Sequence, residues 1–310
     1  MVAKAHFGQL EYATMDNGIH FISGLPRSGS TLLSAILRQN PKFHAGMSSP
    51  VASLWSALIA TMGARGEWAD LVDDEQRENV SRAVFAGYYQ KIHPTKLVFD
   101  TNRLWCARMD ALARLFPHAK VIVCVRDLPW IMDSFERLHR KNPLLTSRMY
   151  SPDTAPTVYT RTSSLSAPTG TVGLPWDAVQ EAFYGEHSHR LIVVDYEALA
   201  REPRRTMQQI YDWLGLAWFE HDFEHVAYED GGEFDARLGV PGLHLVKGAV
   251  RFVDRPTVLP PDVFQRFSNR AFWRNPKSNP RKVRVLLPAE PGATVVTPTA
   301  FAQSPKAQAG

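Results

Sequence analysis

An α/β fold of three layers, a central parallel sheet flanked by helices, is what this sequence predicts, and three observations predict it. Four short apolar runs are rich in aliphatic and β-branched residues and too short for helices. Helical spacing follows the runs, and a glycine-rich turn joins the first run to the first helix. Runs that are apolar throughout, rather than alternating, suit parallel strands covered on both faces.

The first strand is Ile19 to Ser23 (IHFIS), which enters the glycine turn; Thr31 to Gln39 then carries Leu32, Leu33, Ile36 and Leu37 at helical spacing. A helix over Asp74 to Lys91 precedes the second strand, Lys96 to Asp100 (KLVFD). A helix over Arg103 to Leu115 leads to the third, Lys120 to Val125 (KVIVCV), and another over Pro129 to Arg140 follows it. The fourth strand, Leu191 to Val194 (LIVV), is followed by a helix over Pro203 to Leu214. There Pro203 suits a first turn and Gly215 a C-terminal stop. Two regions break the rhythm. Lys141 to Pro175 is rich in Ser, Thr and Pro with little periodicity, and a long insertion loop of that kind is read as a lid or acceptor wall. From Leu287 the composition becomes that of a flexible tail. The expected organisation is therefore one domain over residues 1–286, with its insertion at about 141–175, and a tail over 287–310.

A chain of 310 residues that is 45% hydrophobic can bury a large core. The formal net charge of +4 favours an anionic ligand, but no basic tract with interleaved aromatics argues for nucleic acid. Cys106 and Cys124 lie in apolar patterns, which points to a reducing compartment. The first twenty residues contain no continuous apolar stretch, so neither a signal peptide nor a membrane anchor is expected, and the expected location is cytoplasmic. A homodimer is left open.

The glycine turn carries the chemistry. In FISGLPRSGSTLLSAILRQ, Gly24, Gly29 and Thr31 match the spacing of a P-loop, G-x-x-x-x-G-K-[ST], but Ser30 stands where the lysine belongs. A strand, a tight turn and a helix gather backbone N–H groups and the positive helix end around one anion. Losing the lysine is tolerable when the group handled carries less charge than a terminal phosphate. A sulfuryl group bridged to phosphate is such a group, and Arg27 within the loop can meet it without a metal.

PRSGSTLL closely resembles the phosphosulfate loop of sulfotransferases that use 3′-phosphoadenosine-5′-phosphosulfate (PAPS), and the arginine form looks most like the tyrosylprotein sulfotransferase branch and its bacterial relatives. The resemblance implies a P-loop-like fold and a metal-independent, in-line transfer of sulfuryl from PAPS to an acceptor hydroxyl on a small molecule or peptide tyrosine, leaving adenosine 3′,5′-bisphosphate (PAP). Arg27, Ser28, Gly29, Ser30 and Thr31 fall in the cofactor loop. In FPHAKVIVCVRDLPWIMDSFERL, Arg126 and Ser134 match the pair that holds the 3′-phosphate in the family; a guanidinium at a strand's carboxyl end and a helix hydroxyl can both reach one phosphate. Tyr196, in LIVVDYEALAREPRRTMQQIYDWLGLAW, matches a tyrosine near the cofactor. Lys247 and Arg251 are placed on a late basic segment closing over it.

The chain also departs from that branch. The positions matching its acidic base are Met47 and Ser48, and the position matching its lysine lies at or beside Thr101. Arg103 is the substitute cation. For the base, His44 and Asp100 are the favoured candidates and His244 the third. The competing enzyme reading is a P-loop kinase or nucleotide hydrolase using Mg-ATP, with Asp100 as a magnesium carboxylate. A non-catalytic nucleotide-binding protein is the remaining alternative.

Overall fold

The structure, a computed structural model, describes residues 18–63, 66–92, 96–144, 147–149, 152–154 and 156–289. In chain order these form β1 (Ile19–Gly24), α1 (Ser30–Leu37), β2 (Phe43–Ala45), α2 (Val51–Met62), α3 (Asp74–Tyr89), β3 (Leu97–Thr101), α4 (Met109–Leu115), β4 (Val121–Val125) and α5 (Leu128–Lys141). There follow α6 (Val158–Ser166), α7 (Gly173–Tyr184), β5 (Leu191–Asp195), α8 (Tyr196–Arg201), α9 (Pro203–Leu214), β6 (Val226–Tyr228), α10 (Gly232–Arg237), β7 (Val246–Gly248), α11 (Pro261–Phe267) and β8 (Arg284–Leu286).

Six strands make one parallel sheet in the order β2-β3-β1-β4-β5-β8. The period of two along each strand separates its side chains into two cores. Ile19 and Phe21 of β1, Val121, Val123 and Val125 of β4, and Leu191 and Val193 of β5 face α2 to α7 and α11. Ile22, Ile122, Cys124, Ile192 and Val194 face α1, α8 and α9. Both faces are covered, which is why the strands read as unbroken apolar runs. The antiparallel pair β6–β7 stands apart from this sheet.

The four strands expected from sequence are present with ends shifted by one residue, and α9 spans the expected residues with Gly215 in the left-handed region at φ 77°. Four further strands, β2, β6, β7 and β8, are three residues each and too short to announce themselves. The stretch 141–175 holds α6 and the start of α7 among its described residues. Nothing in VYTRTSSLS is strongly amphipathic; tertiary contact holds it. A capping box between Thr157 and Thr160 starts α6, and the buried Arg161 guanidinium grips Glu136 of α5 at 2.8 Å. Residues 290–310, most of the expected tail, lie outside the described residues. No helix among the described residues is long and apolar enough to cross a membrane.

The chain leaves β1 toward β2 and β3 on one side, then crosses to β4 on the other, so the carboxyl end of β1 is the point where strand order reverses. Gly24 sits there with φ 116°, and a Cβ on it would lie 2.1 Å from the Cys124 carbonyl oxygen of β4. Gly24→Ala is therefore expected to force β1 and β4 apart and cost on the order of 3–5 kcal/mol, read as a lowered urea midpoint.

Candidate functional site

A cavity of about 580 Å³ opens at the carboxyl ends of β1, β3 and β4. Its floor is the glycine turn. Gly29, at φ 92°, caps α1 without a side-chain partner, and its missing Cβ leaves room for the Tyr196 ring, which would stand 3.0 Å away. The first amides of α1 have no intrahelical acceptor, and there is no acidic residue in its first turn. Ser30 and Thr31 line the cavity. Ser28 does not: its buried hydroxyl turns inward and donates to the Cys124 carbonyl at 2.9 Å, tying the turn to β4. The residue that sets the loop's shape thus contributes its backbone alone to the cradle.

Arg27 adopts φ 59°, an uncommon conformation for a residue with a Cβ. Its guanidinium holds it there: Nε donates to Ser134 Oγ at 3.0 Å, and Nη1 donates to the Leu243 carbonyl. Burial and the neighbouring Arg126 charge lower its pKa to about 10, which still leaves it charged at neutral pH. Arg126, at the end of β4, lies over the Tyr196 ring at 4.3 Å and reaches the Arg27 carbonyl at 3.4 Å. The Asp beside it is engaged elsewhere. Asp127 pairs with Arg274 at 2.9 Å, and Arg274 also grips Asp195 at 2.8 Å, so the ends of β4 and β5 are tied together without using Arg126. Arg27, Arg126, Ser134 and Tyr196 are thus brought to one place from four separate segments.

Arg103 also lines the cavity. Ser23 Oγ donates to its carbonyl at 2.9 Å, fixing the segment that carries it, and burial lowers its pKa. No carboxylate pairs with its guanidinium among the described residues. Met47, Ser48, Thr101 and Asn102 form the neighbouring wall.

The candidate bases divide sharply. Asp100 is 1% exposed and sits behind the wall. Its carboxylate accepts from Ser49 Oγ at 2.6 Å, Trp105 Nε1 at 2.7 Å and the Tyr89 hydroxyl. Burial pushes its pKa up against these three donors. His44, on β2, is half-buried with its ring 5.7 Å from that of Tyr89, and it does not line the cavity; burial lowers its pKa, as do Arg38 and Lys96. His244 does line it. Its Nδ1 lies 2.5 Å from Oδ1 of the buried Asp235, whose Oδ2 accepts the His244 backbone N–H at 2.8 Å. Burial lowers the His244 pKa, with Asp235 opposing and Arg27 and Arg103 reinforcing the shift, which favours the neutral imidazole.

Lys247 and Arg251 are exposed and do not border the cavity. Strand alternation turns Val246 toward it and Lys247 away, while Arg251 meets Glu224 at 3.1 Å on the surface. The late cation that approaches the site is Arg255, which binds the buried Asp133, next to Ser134, at 2.9 Å. Sequence reasoning missed Arg255, Asp235 and Arg148, the last of which lines the cavity. No motif spacing marks them, because their positions depend on how the late irregular segments fold back. The set is consistent in charge: among the described residues, four arginines and no carboxylate line the cavity. Such a site accepts an extended anion and a neutral or anionic second ligand, with one neutral imidazole available to take a proton.

A model of the sulfotransferase family matches residues 20–220. Among curated relatives, the chain is 24% identical over 219 residues to "Protein-tyrosine sulfotransferase 1" of Danio rerio, covering 68% of this chain and 56% of that one. It is 22% identical over 215 residues to "Protein-tyrosine sulfotransferase 2" of Gallus gallus, covering 66% and 53%. The chain therefore spans about half the length of these relatives. Among solved structures, the "Sulfotransferase Domain from the Curacin Biosynthetic Pathway" overlaps with a TM-score of 0.47 at 17% identity, covering 81% of this chain and 90% of that one. The "Sulfotransferase Domain from the Synechococcus PCC 7002 Olefin Synthase" overlaps with a TM-score of 0.43 at 21% identity, covering 80% and 92%.

Proposed function

The chain belongs to the sulfotransferase family, and from that premise we propose that it transfers a sulfuryl group from PAPS to an acceptor hydroxyl in a single in-line step that requires no metal. The observation that carries this reading is the convergence of the glycine turn, Arg27 and Arg126 on one cavity, with Ser134 bonded to Arg27 beside it and, among the described residues, four arginines and no carboxylate in its lining. The donor, when bound, supplies an activated sulfuryl group and leaves as PAP.

Each residue then has a physical task. The α1 amides and the hydroxyls of Ser30 and Thr31 cradle the phosphosulfate. Arg27 balances the charge that grows on the departing phosphate oxygen, with Arg103 as a second cation on the same wall. Arg126, its guanidinium over the Tyr196 ring, and Ser134 receive the 3′-phosphate. Arg255, through Asp133, orients the turn of α5 that carries Ser134. His244 Nε2 removes the proton from the acceptor hydroxyl. Because the Arg27 Nη1 bond ends on Leu243, the donor loop and the segment bearing His244 are physically joined.

Met47, Phe135, Leu174, Phe234, Leu243 and Leu245 line the same cavity, which supports an apolar or aromatic hydroxyl compound as acceptor over a cationic one. Free, buried Cys106 and Cys124 support a reducing, cytoplasmic setting. The reading is tested by calorimetric titration with PAP. Arg126→Ala is expected to weaken PAP binding about 10- to 100-fold, the loss of charge-assisted bonds to one phosphate. Unchanged affinity would remove Arg126 from the nucleotide.

A further inference from the structure

We infer that Asp235 is a positioning residue that holds His244 in the tautomer protonated on Nδ1, so that the Nε2 lone pair faces the acceptor. The inference rests on the reading of His244 as the base.

Three observations carry it. Asp235 is 1% exposed, and no lysine or arginine pairs with it among the described residues. A buried carboxylate without a cation is costly unless its oxygens are matched by donors. Both of its oxygens go to His244: Oδ1 meets Nδ1 at 2.5 Å and Oδ2 accepts the backbone N–H at 2.8 Å. Two bonds to one residue fix the ring's position and its rotation together, where a loop staple needs only the backbone bond. The remaining ring nitrogen has no protein partner among the described residues, and the residue borders the cavity.

The charges around the imidazole explain why a carboxylate is needed there. Arg27 faces it from the glycine turn and Arg103 from the segment after β3, and both disfavour the imidazolium that forms as the acceptor proton arrives. Asp235, on α10, is the one negative group among the described residues that acts on it, and it also acts on Arg27. It stabilises the protonated ring without accepting the proton. The step balances simply: the acceptor O–H proton passes to Nε2, the O–S bond forms, and the bond from sulfur to the phosphate oxygen breaks.

The test is Asp235→Asn, which keeps the shape and can still accept the backbone N–H but no longer imposes a proton on Nδ1. Imidazole nitrogen NMR of the full chain with PAP is expected to show Nδ1–H in the native protein and a shift toward Nε2–H in the variant. Turnover with PAPS and 4-nitrophenol is expected to fall about 10²-fold or more in the variant with PAP affinity unchanged. Because Asn removes a negative charge, the His244 pKa should fall further, not rise. Asp235→Glu should restore part of the turnover. An Nε2–H tautomer in the native protein overturns the inference even if the variant fails to fold, and so does native-like turnover in Asp235→Asn. Full turnover in His244→Gln would instead defeat the reading of the base itself.

Discussion

Replacing His244 with glutamine is expected to lower turnover by about 10² to 10⁴ while leaving PAP affinity intact, because glutamine can bond to the acceptor hydroxyl but cannot take its proton. The imidazole is poised for this task in one direction only. Burial holds its pKa below the ordinary value of 6.5, with Arg27 and Arg103 reinforcing the shift. The neutral, competent form therefore dominates at neutral pH, and kcat/KM should be flat there. Activity should be lost only as pH falls through the depressed pKa, and that acid limb should vanish in His244→Gln. His44→Ala, by contrast, should retain turnover, since His44 lies off the cavity against Tyr89. Loss of turnover in His44→Ala with an active His244→Gln would move the base to β2.

Arg27→Ala should cost about 10²- to 10³-fold in kcat, the scale of removing one preorganised group from a developing oxyanion. Three effects act together. The positive charge leaves the loop, Ser134 Oγ loses the Nε donor at 3.0 Å, and the Leu243 carbonyl loses its tie to the donor side. The last effect separates Arg27 from a simple phosphate ligand, because it loosens the His244 segment as well. Arg27→Lys should rescue little: an ammonium on a flexible stem supplies charge but not two bonds in a fixed fork. Paired measurements of kcat and PAP affinity check this, and a lysine variant with native turnover would contradict it.

The parts of this molecule legible in sequence are those whose cause is local. Ile19–Gly24, Val121–Val125 and Leu191–Asp195 are buried on both faces, so composition alone marks them as strands. GLPRSGST is legible because a tight turn needs Gly24 where β4 crowds it and Gly29 where the Tyr196 ring lies close. The approach of Arg126 and Ser134 to the glycine turn is legible because a strand end and the next helix keep a fixed spacing. The proposed base is not legible in the same way. His44 and Asp100 sit on the right segments, yet one ring packs against Tyr89 and the other side chain is sealed by Ser49, Tyr89 and Trp105. His244 is only one of 11 histidines in the sequence until the chain between β6 and β7 folds Asp235 beneath it and Arg27 reaches its neighbour. Lys247 and Arg251 lie off the cavity for a related reason, since strand alternation and a surface partner decide where they point.

The most direct measurement follows thermal unfolding in EDTA with PAP, and with ADP and Mg-ATP in parallel samples. A ligand at one hundred times its dissociation constant stabilises by about 2.7 kcal/mol, enough to raise Tm by several degrees. A shift with PAP in the absence of metal is the predicted result, and it should shrink in Arg126→Ala. A shift with Mg-ATP alone would contradict the account and return the glycine turn to a nucleotide triphosphate.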